Sequence, residues 1–386
     1  MQCVILNKNY PPNSGVTGYS ASKLAEYLVN KGVQVNVVTT DADYGGVRQD
    51  VNLGSVHRIP SVYQGKNKLL RLMSSMYEAY RLINSAAKLN VGPWICMTDP
   101  PLLNLWAGIK AKKLKISWAY WSMDLYPDAF GAASLVKKNG YLYKLISGVV
   151  KKNKPNHLIA LGSCQAKYLN AEYEWSLPTT LLPCGISEIK ENVVAPLWAQ
   201  GDHEILFGYA GNIGEAHSAE FVIETIRHID FKKHRFVLSV YGAHAKFVID
   251  SVKDINGLCI VKTISQSELR FIDIHLATLL PKWDHICVPS KAVTSVSQGG
   301  ALLYCGSKEN DNWQMLGECG WRIDPDENIS RQVEAFMQNL TNENLLRKKE
   351  CSKIKSQELL QIEKIAFQEI FTFIAEQNEN TRIMTS

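Results

Sequence analysis

A four-residue apolar run, Cys3–Leu6, is followed by a loop with two prolines and two glycines. Next comes a stretch in which Leu24, Ala25, Leu28 and Val29 share one side of a 3.6-residue turn. Gly32 ends it, and Val35–Val38 is apolar again. Strand, helix over Tyr19–Lys31, and strand in direct succession form a βαβ unit, which closes right-handedly into a parallel sheet. Further strands are expected at Trp94–Met97, Ile116–Tyr120, Leu158–Ala160 and Thr180–Leu182.

The rhythm then restarts. Strands are expected at Ile205–Ala210, Phe236–Tyr241 and Leu258–Val261, with a helix at Ala219–His228 and shorter units around Ile274–Leu279 and Ala301–Tyr304. Between the halves, PCGISEIKENVVAPLWAQGDHE is polar, carries two prolines and reads as a linker. The expected organisation is a domain at 1–190 and a second at 191–364. The tail from Asn342 to Gln377 is helix-rich, and its C-terminal helix, near 365–386, is expected to pack back on the first domain. The most economical architecture is α/β: two doubly wound, Rossmann-like domains facing across a cleft. Ligands then belong beyond the carboxyl ends of the strands.

Composition narrows the classes. The 386 residues are 46% hydrophobic, enough to bury more than one core. No like-charge block or low-complexity run points to disorder. No segment approaches ~18 uncharged apolar residues, so no transmembrane helix is expected, and the N-terminus lacks the features of a signal peptide. The nine cysteines are scattered without a CxxC pair, which argues against a metal cluster or disulfide framework and for reduced thiols in a cytoplasm. Charge is uneven: 22 Lys and Arg face 12 Asp and Glu up to residue 194, and 20 face 25 beyond it. No nucleic-acid-binding motif accompanies the basic half. Peripheral contact with an anionic membrane surface fits it better, solvated helix faces being the plain alternative.

Three loops carry candidate chemistry. In GNIGEAHS, Gly211 and Gly214 bracket Asn212 before a helix, where backbone amides and the helix N-terminus could receive a phosphate. A tight turn would explain the same glycines. Gly242 follows another strand. In PSK, Ser290 is a good N-cap for a helix starting near Lys291. Lys291 there faces the positive helix end, a conflict that a bound dianion would remove. Asp124, after a strand and before Pro127, could orient an acceptor hydroxyl or stabilise positive charge. Capping the following turn is its plain role, and Asp128 is a second candidate. Trp118, Tyr120, Trp121 and Tyr126 have the spacing of a strand entering a core, and Trp313 is a similar case.

Taken in order, these pieces resemble a known family. IHLATLLPKWDHICVPSKAVTSVSQGGALLYCG and LGECGWRIDPDE resemble the nucleotide-sugar-binding half of family 4 glycosyltransferases. The likeness is to the bacterial surface-polysaccharide subgroup with a PSK motif. NYPPNSGVTGYSASKLAEYLVNKGVQVNVVTT, MTDPPLLNLWA and WSMDLYPDAF resemble that family's opening unit and cleft segments. The resemblance spans residues 2–330 and implies a GT-B fold. It also implies metal-free, retaining transfer of a sugar from a nucleotide diphosphate, UDP rather than GDP, to a lipid-linked or oligosaccharide acceptor. Carried over, Gly211, Asn212, Gly214, Gly242, Ser290, Lys291 and Glu309 would hold the donor. Gly15, Val16, Thr17 and Gly18 would form the acceptor-side loop, and Asp124 and Lys291 would be catalytic. Departures stand beside this. Asn212 and His217 occupy a region where the family often has Arg and Lys. Thr294 stands where a carboxylate is usual, Gly299-Gly300-Ala301 where Gly-Arg-Pro is usual, and Met123 replaces an Arg. A chain that binds a nucleotide sugar or a partner enzyme without catalysis is the alternative.

Overall fold

The computed structural model describes residues 1–12, 15–41, 54–63, 65, 68–138 and 140–385. It divides into two units, 1–184 with 363–386, and 185–362. The change of unit after Cys184 falls at the start of the polar linker.

The first unit opens with β1 (Gln2–Leu6), α1 (Val16–Asn30), β2 (Gln34–Thr40), β3 (Ser55–Ile59) and α2 (Lys68–Leu89). It continues with β4 (Trp94–Cys96), α3 (Leu103–Leu114), β5 (Trp118–Ser122) and α4 (Asp128–Ala132). Then follow α5 (Tyr141–Lys152), β6 (His157–Ala160), α6 (Ser163–Tyr173) and β7 (Thr179–Leu181). All seven strands pair in parallel, in the order β3-β2-β1-β4-β5-β6-β7. The order reverses between β1 and β4, which opens a crevice at their carboxyl ends. Right-handed crossovers put α2, α3 and α5 on one face of this sheet and α1 on the other. Cys3, Val4, Ile5 and Leu6 are fully buried, as a strand covered on both faces requires. Trp118, Tyr120 and Trp121 are buried in the same sheet, so these aromatics are core.

The second unit contains β8 (Leu206–Asn212), α7 (Ala219–Arg227), β9 (Arg235–Tyr241), α8 (Ala245–Val252), β10 (Leu258–Ile260) and β11 (Ile274–Thr278). After these come α9 (Ser290–Ser297), β12 (Ala301–Cys305), α10 (Asp311–Leu316), β13 (Gly320–Ile323) and α11 (Ile329–Asn339). The parallel order is β10-β9-β8-β11-β12-β13, with the reversal between β8 and β11. Phe207, Tyr209, Phe221, Phe236 and Val248 build its core.

One long helix, α12 (Asn342–Thr385), ends the described chain. Its first part belongs to the second unit and the part from Glu363 to the first. In the second unit, Ser352 and Ser356 donate to the carbonyls of Gly300 and Ser297, each at 2.9 Å, and so fix the end of α9. In the first, Phe367, Ile370, Phe373 and Ile374 are buried, Phe367 against Tyr27 and Phe373 against His157.

Several expected boundaries move. The first helix begins at Val16 rather than Tyr19, because Gly15 in extended conformation serves as its N-cap. β3 and β13 were not expected, being short strands with little alternation. The linker holds one short 3₁₀ turn, Leu197–Ala199.

Candidate functional site

In the first unit the β1/β4 crevice is lined by polar groups. The Lys8 backbone N–H donates to the Asp99 carbonyl at 2.7 Å, while the Lys8 carbonyl accepts from the hydroxyls of Thr39 and Thr40. Three strand ends are thereby tied together. The buried Lys8 ammonium meets Glu78 Oε2 at 2.8 Å and Ser75 Oγ at 3.1 Å. Glu78 Oε1 in turn accepts from Ser61 Oγ and the Val62 N–H, both at 2.8 Å. Asn9 Nδ2 donates to Asp99 Oδ2 at 2.6 Å, and Asn7 Nδ2 reaches the Asn9 carbonyl at 2.7 Å and Thr17 Oγ1 at 3.3 Å.

The structure brings three of the four acceptor-loop residues into this network. Thr17 accepts from Asn7, and the Gly18 Cα packs so closely that a Cβ would lie 3.0 Å from the Asn9 carbonyl. Gly15 sits against the Asn9 side chain, whereas Val16 points to solvent. Asp124 follows β5, and its N–H donates to Thr98 Oγ1 at 3.0 Å. The residue is exposed to water. Burial, then the neighbouring Asp99, push Asp124 up to about 6. Burial pushes Asp99 to about 6 as well, against the Lys8 charge.

Asp128 has a different place. It is buried, and its carboxylate accepts from the hydroxyls of Tyr143 at 2.7 Å, Tyr168 at 2.5 Å and Tyr173 at 3.3 Å. These bonds join α4, α5 and α6. Asp128 is a structural acceptor, and the second candidacy for catalysis is corrected accordingly.

In the second unit the β8/β11 reversal brings together the end of β8, the loop after it and the start of α9. Gly211 has φ +122, and a Cβ there would lie 2.9 Å from Lys291 Cε. Glycine is thus required both by the backbone and by the lysine stem. Lys291 Nζ lies 3.1 Å from His217 Nε2 and 5.4 Å from the Tyr209 ring centre. The Gly214 N–H donates to His217 Nδ1 at 3.3 Å. Gly242, at φ +107, packs on the Asn212 side chain so tightly that a Cβ would meet its Oδ1. Glycines 211, 214 and 242, Asn212 and Lys291 therefore form one cluster, with His217 at its centre.

His217 is half-buried, with both ring nitrogens engaged. Burial and the Lys291 charge push it down to about 3, so the ring is neutral. A neutral ring has one N–H and one lone pair. With Nδ1 accepting from Gly214, Nε2 carries the hydrogen and Lys291 accepts it as a neutral amine. With Lys291 as an ammonium, Nδ1 carries the hydrogen and the Gly214 bond is given up. Burial pulls Lys291 down to about 8, within reach of both states. A dianion arriving here favours the ammonium.

Ser290 corrects an expectation. Pro289 is the N-cap of α9, no side chain caps it, and Ser290 is the first helical residue. Its Cβ side faces Gly185, whose positive φ lets the chain pass. Thr294, one turn on, donates to the Gly185 carbonyl at 2.9 Å. Glu309 is exposed, and its hydrogen bonds stay with Ser307 in its own loop. The neighbouring Asn312 instead reaches the Pro289 carbonyl at 3.1 Å and helps hold the PSK corner. Trp313 stacks on Tyr304.

Sequence reasoning missed Lys8, Asn9, Glu78, Asp99 and the pairing of His217. Lys8 and Asn9 directly follow β1, and Asp99 lies inside the MTDPP stretch after β4. The strand-end rule therefore had the information to find them.

No family model matches the chain, and no curated protein does. Solved structures do. Sucrose-phosphate synthase from Thermosynechococcus elongatus aligns over 100% of both chains with TM-score 0.71 at 13% identity. WaaG, a glycosyltransferase involved in lipopolysaccharide biosynthesis, aligns over 97% of this chain and 99% of its own, with TM-score 0.66 at 13% identity. Anabaena HepE, solved with UDP and glucose, aligns over 96% of this chain and 100% of its own, with TM-score 0.65 at 11% identity. At these identities the likeness establishes the fold: two doubly wound parallel-sheet units of the GT-B type.

Proposed function

We propose that the chain is a retaining, metal-independent glycosyltransferase of the family 4 type with a PSK motif. It would take a nucleotide-diphosphate sugar, UDP-linked in preference to GDP-linked, and a lipid-linked or oligosaccharide acceptor of surface-polysaccharide assembly. It would work at the inner face of a cytoplasmic membrane. The observation that carries this reading is the Lys291–His217–Gly214 cluster against Gly211, at the sheet reversal where α/β folds take ligands. Support comes from HepE, solved with UDP and glucose, and from a trehalose-6-phosphate protein of E. coli bound with UDP-2-fluoro glucose.

In this reading Lys291 and the amides after β8 stabilise the charge growing on the leaving diphosphate. Ser290 and Asn212 complete the donor seat, and Gly242 keeps Asn212 in place. Asp124 acts as a carboxylate toward the acceptor side; burial, and after it the charge of Asp99, raise the pH at which it ionises. Both carboxyls are raised in the fold, so their ionisation opposes folding as pH rises from 3.8 through about 6. Activity needs the ionised form and falls below about pH 6.

Transfer from UDP-glucose and a panel of related donors, followed by UDP release against pH, tests this. The expected profile has an acid limb near pH 6 that moves to lower pH in Asp99→Asn, because the neighbouring charge is gone. A limb that stays put in that variant removes Asp124 from the role. Isothermal titration with UDP and GDP separates the second reading, a non-catalytic binder or scaffold. That alternative is favoured by the neutral state of His217, which leaves Lys291 as the cation of the cluster. Tight UDP binding with no transfer from any donor would decide for it.

A further inference from the structure

Residues 100–171 of the first unit contain eleven lysines, no arginine, and two acids, Asp124 and Asp128. Asp128 is buried under its tyrosines, so it contributes little to the surface. Within this stretch α5 turns Tyr143, Ile146 and Val150 inward. Its opposite side is apolar at the start: Tyr141 is 84% exposed, Leu142 54% and Leu145 48%. Lys144 stands among these three, and Lys152 follows near the helix end. Lys151 is engaged with Glu174 at 2.5 Å, and elsewhere in the stretch Lys110 donates to Asn84 Oδ1 at 3.0 Å and Lys138 to the Tyr168 hydroxyl at 3.4 Å. α3 packs beside α5 on the same face of the sheet and adds exposed Lys112 and Lys113. Among the described residues no helix is long and apolar enough to cross a membrane.

We propose that the α5 face of the first unit docks on an anionic lipid bilayer, Tyr141, Leu142 and Leu145 entering the headgroup layer and the surrounding lysines lying against lipid phosphates. Two features select this partner over a nucleic acid. Exposed leucines gain from a hydrocarbon boundary and nothing from a phosphate backbone. The cations are all lysine, whose compact charge suits diffuse attraction to a surface, whereas nucleic-acid recognition favours the planar fork of arginine. A tyrosine beside the leucines is suited to the interface, with its ring in the apolar layer and its hydroxyl in water. The assignment names a surface for the membrane contact proposed above and does not depend on the donor site.

The test is co-sedimentation of the full chain with phosphatidylcholine vesicles, with and without phosphatidylglycerol, and with duplex DNA as competitor. Binding is expected to the anionic vesicles alone, to weaken with salt, and to survive the competitor. Tyr141→Ser with Leu142→Ser and Leu145→Ser should lower the partition coefficient at least about ten-fold. Lys144→Gln and Lys152→Gln should each lower it about five-fold. Melting curves unchanged from the parent confirm that the variants fold. Equal binding to neutral vesicles, displacement by DNA, or partition unaffected by the serine variant in a folded protein would each overturn the proposal. A loss of transfer without a loss of vesicle binding would count against the enzyme reading alone.

Discussion

Lys291→Ala is expected to lower turnover on UDP-sugar donors by about 10²–10³-fold, the usual effect of removing one donor from a developing oxyanion. The protein should remain folded, because the ammonium itself is disfavoured by burial. Its value near 8 in the fold lies below the ordinary 10.5, so the charged form opposes folding below about pH 8. That opposition is relieved as pH rises from about 8 toward 10.5. Removing the amine therefore costs chemistry rather than structure. Lys291→Arg should not rescue, since the stem passes Gly211 with no room to spare and His217 closes the other side. Steady-state rates of UDP release, with a melting curve for each variant, check both statements. Turnover within a few-fold of the parent would remove Lys291 from the leaving-group role.

Asp128→Ala should produce the opposite pattern, a large loss of stability with the donor site untouched. Tyr143, Tyr168 and Tyr173 all direct their hydroxyls to this one carboxylate, and burial together with its charge pushes all three phenols up. Deleting the acceptor leaves buried hydroxyls short of a partner, at about 2–4 kcal/mol in total. For a unit of this size that is a fall of roughly 5–15 °C in melting temperature. Asp124→Asn makes the contrast, because Asp124 is exposed and its bond to Thr98 runs through the backbone N–H, which the asparagine keeps. Its melting temperature should hold or rise while transfer falls. Equal melting temperatures for Asp128→Ala and the parent would mean that the tyrosine cluster is not a structural joint.

The alternation of strand and helix was legible because apolar runs such as Cys3–Leu6 and Phe236–Tyr241 are bounded by loops and followed by one-sided helices. β3 and β13 were not, since Ser55–Ile59 is half-polar and Gly320–Ile323 spans four residues. The glycines of the donor cluster could be picked out because each lies at or just past a strand end, and Lys291 because it stands in the first turn of a helix. What one chain position cannot reveal is its partner 74 residues away: nothing in the sequence pairs His217 with Lys291. The same holds for Lys8 and Glu78, a buried pair drawn from a loop and a distant helix. Asp124 and Asp128 look alike in WSMDLYPD. Three tyrosines from later helices distinguish them, and tyrosine spacing carries no such message.

The shared terminal helix has a consequence for biosynthesis. The first unit is not contiguous in sequence, and four of its interior side chains, Phe367 to Ile374, are made after the entire second unit. During translation the amino-terminal lobe must wait, with an unfilled groove beside Tyr27 and His157, until its neighbour has been synthesised. Maturation of the two lobes is thereby coupled, and a nascent chain stalled near residue 360 would display that groove to chaperones.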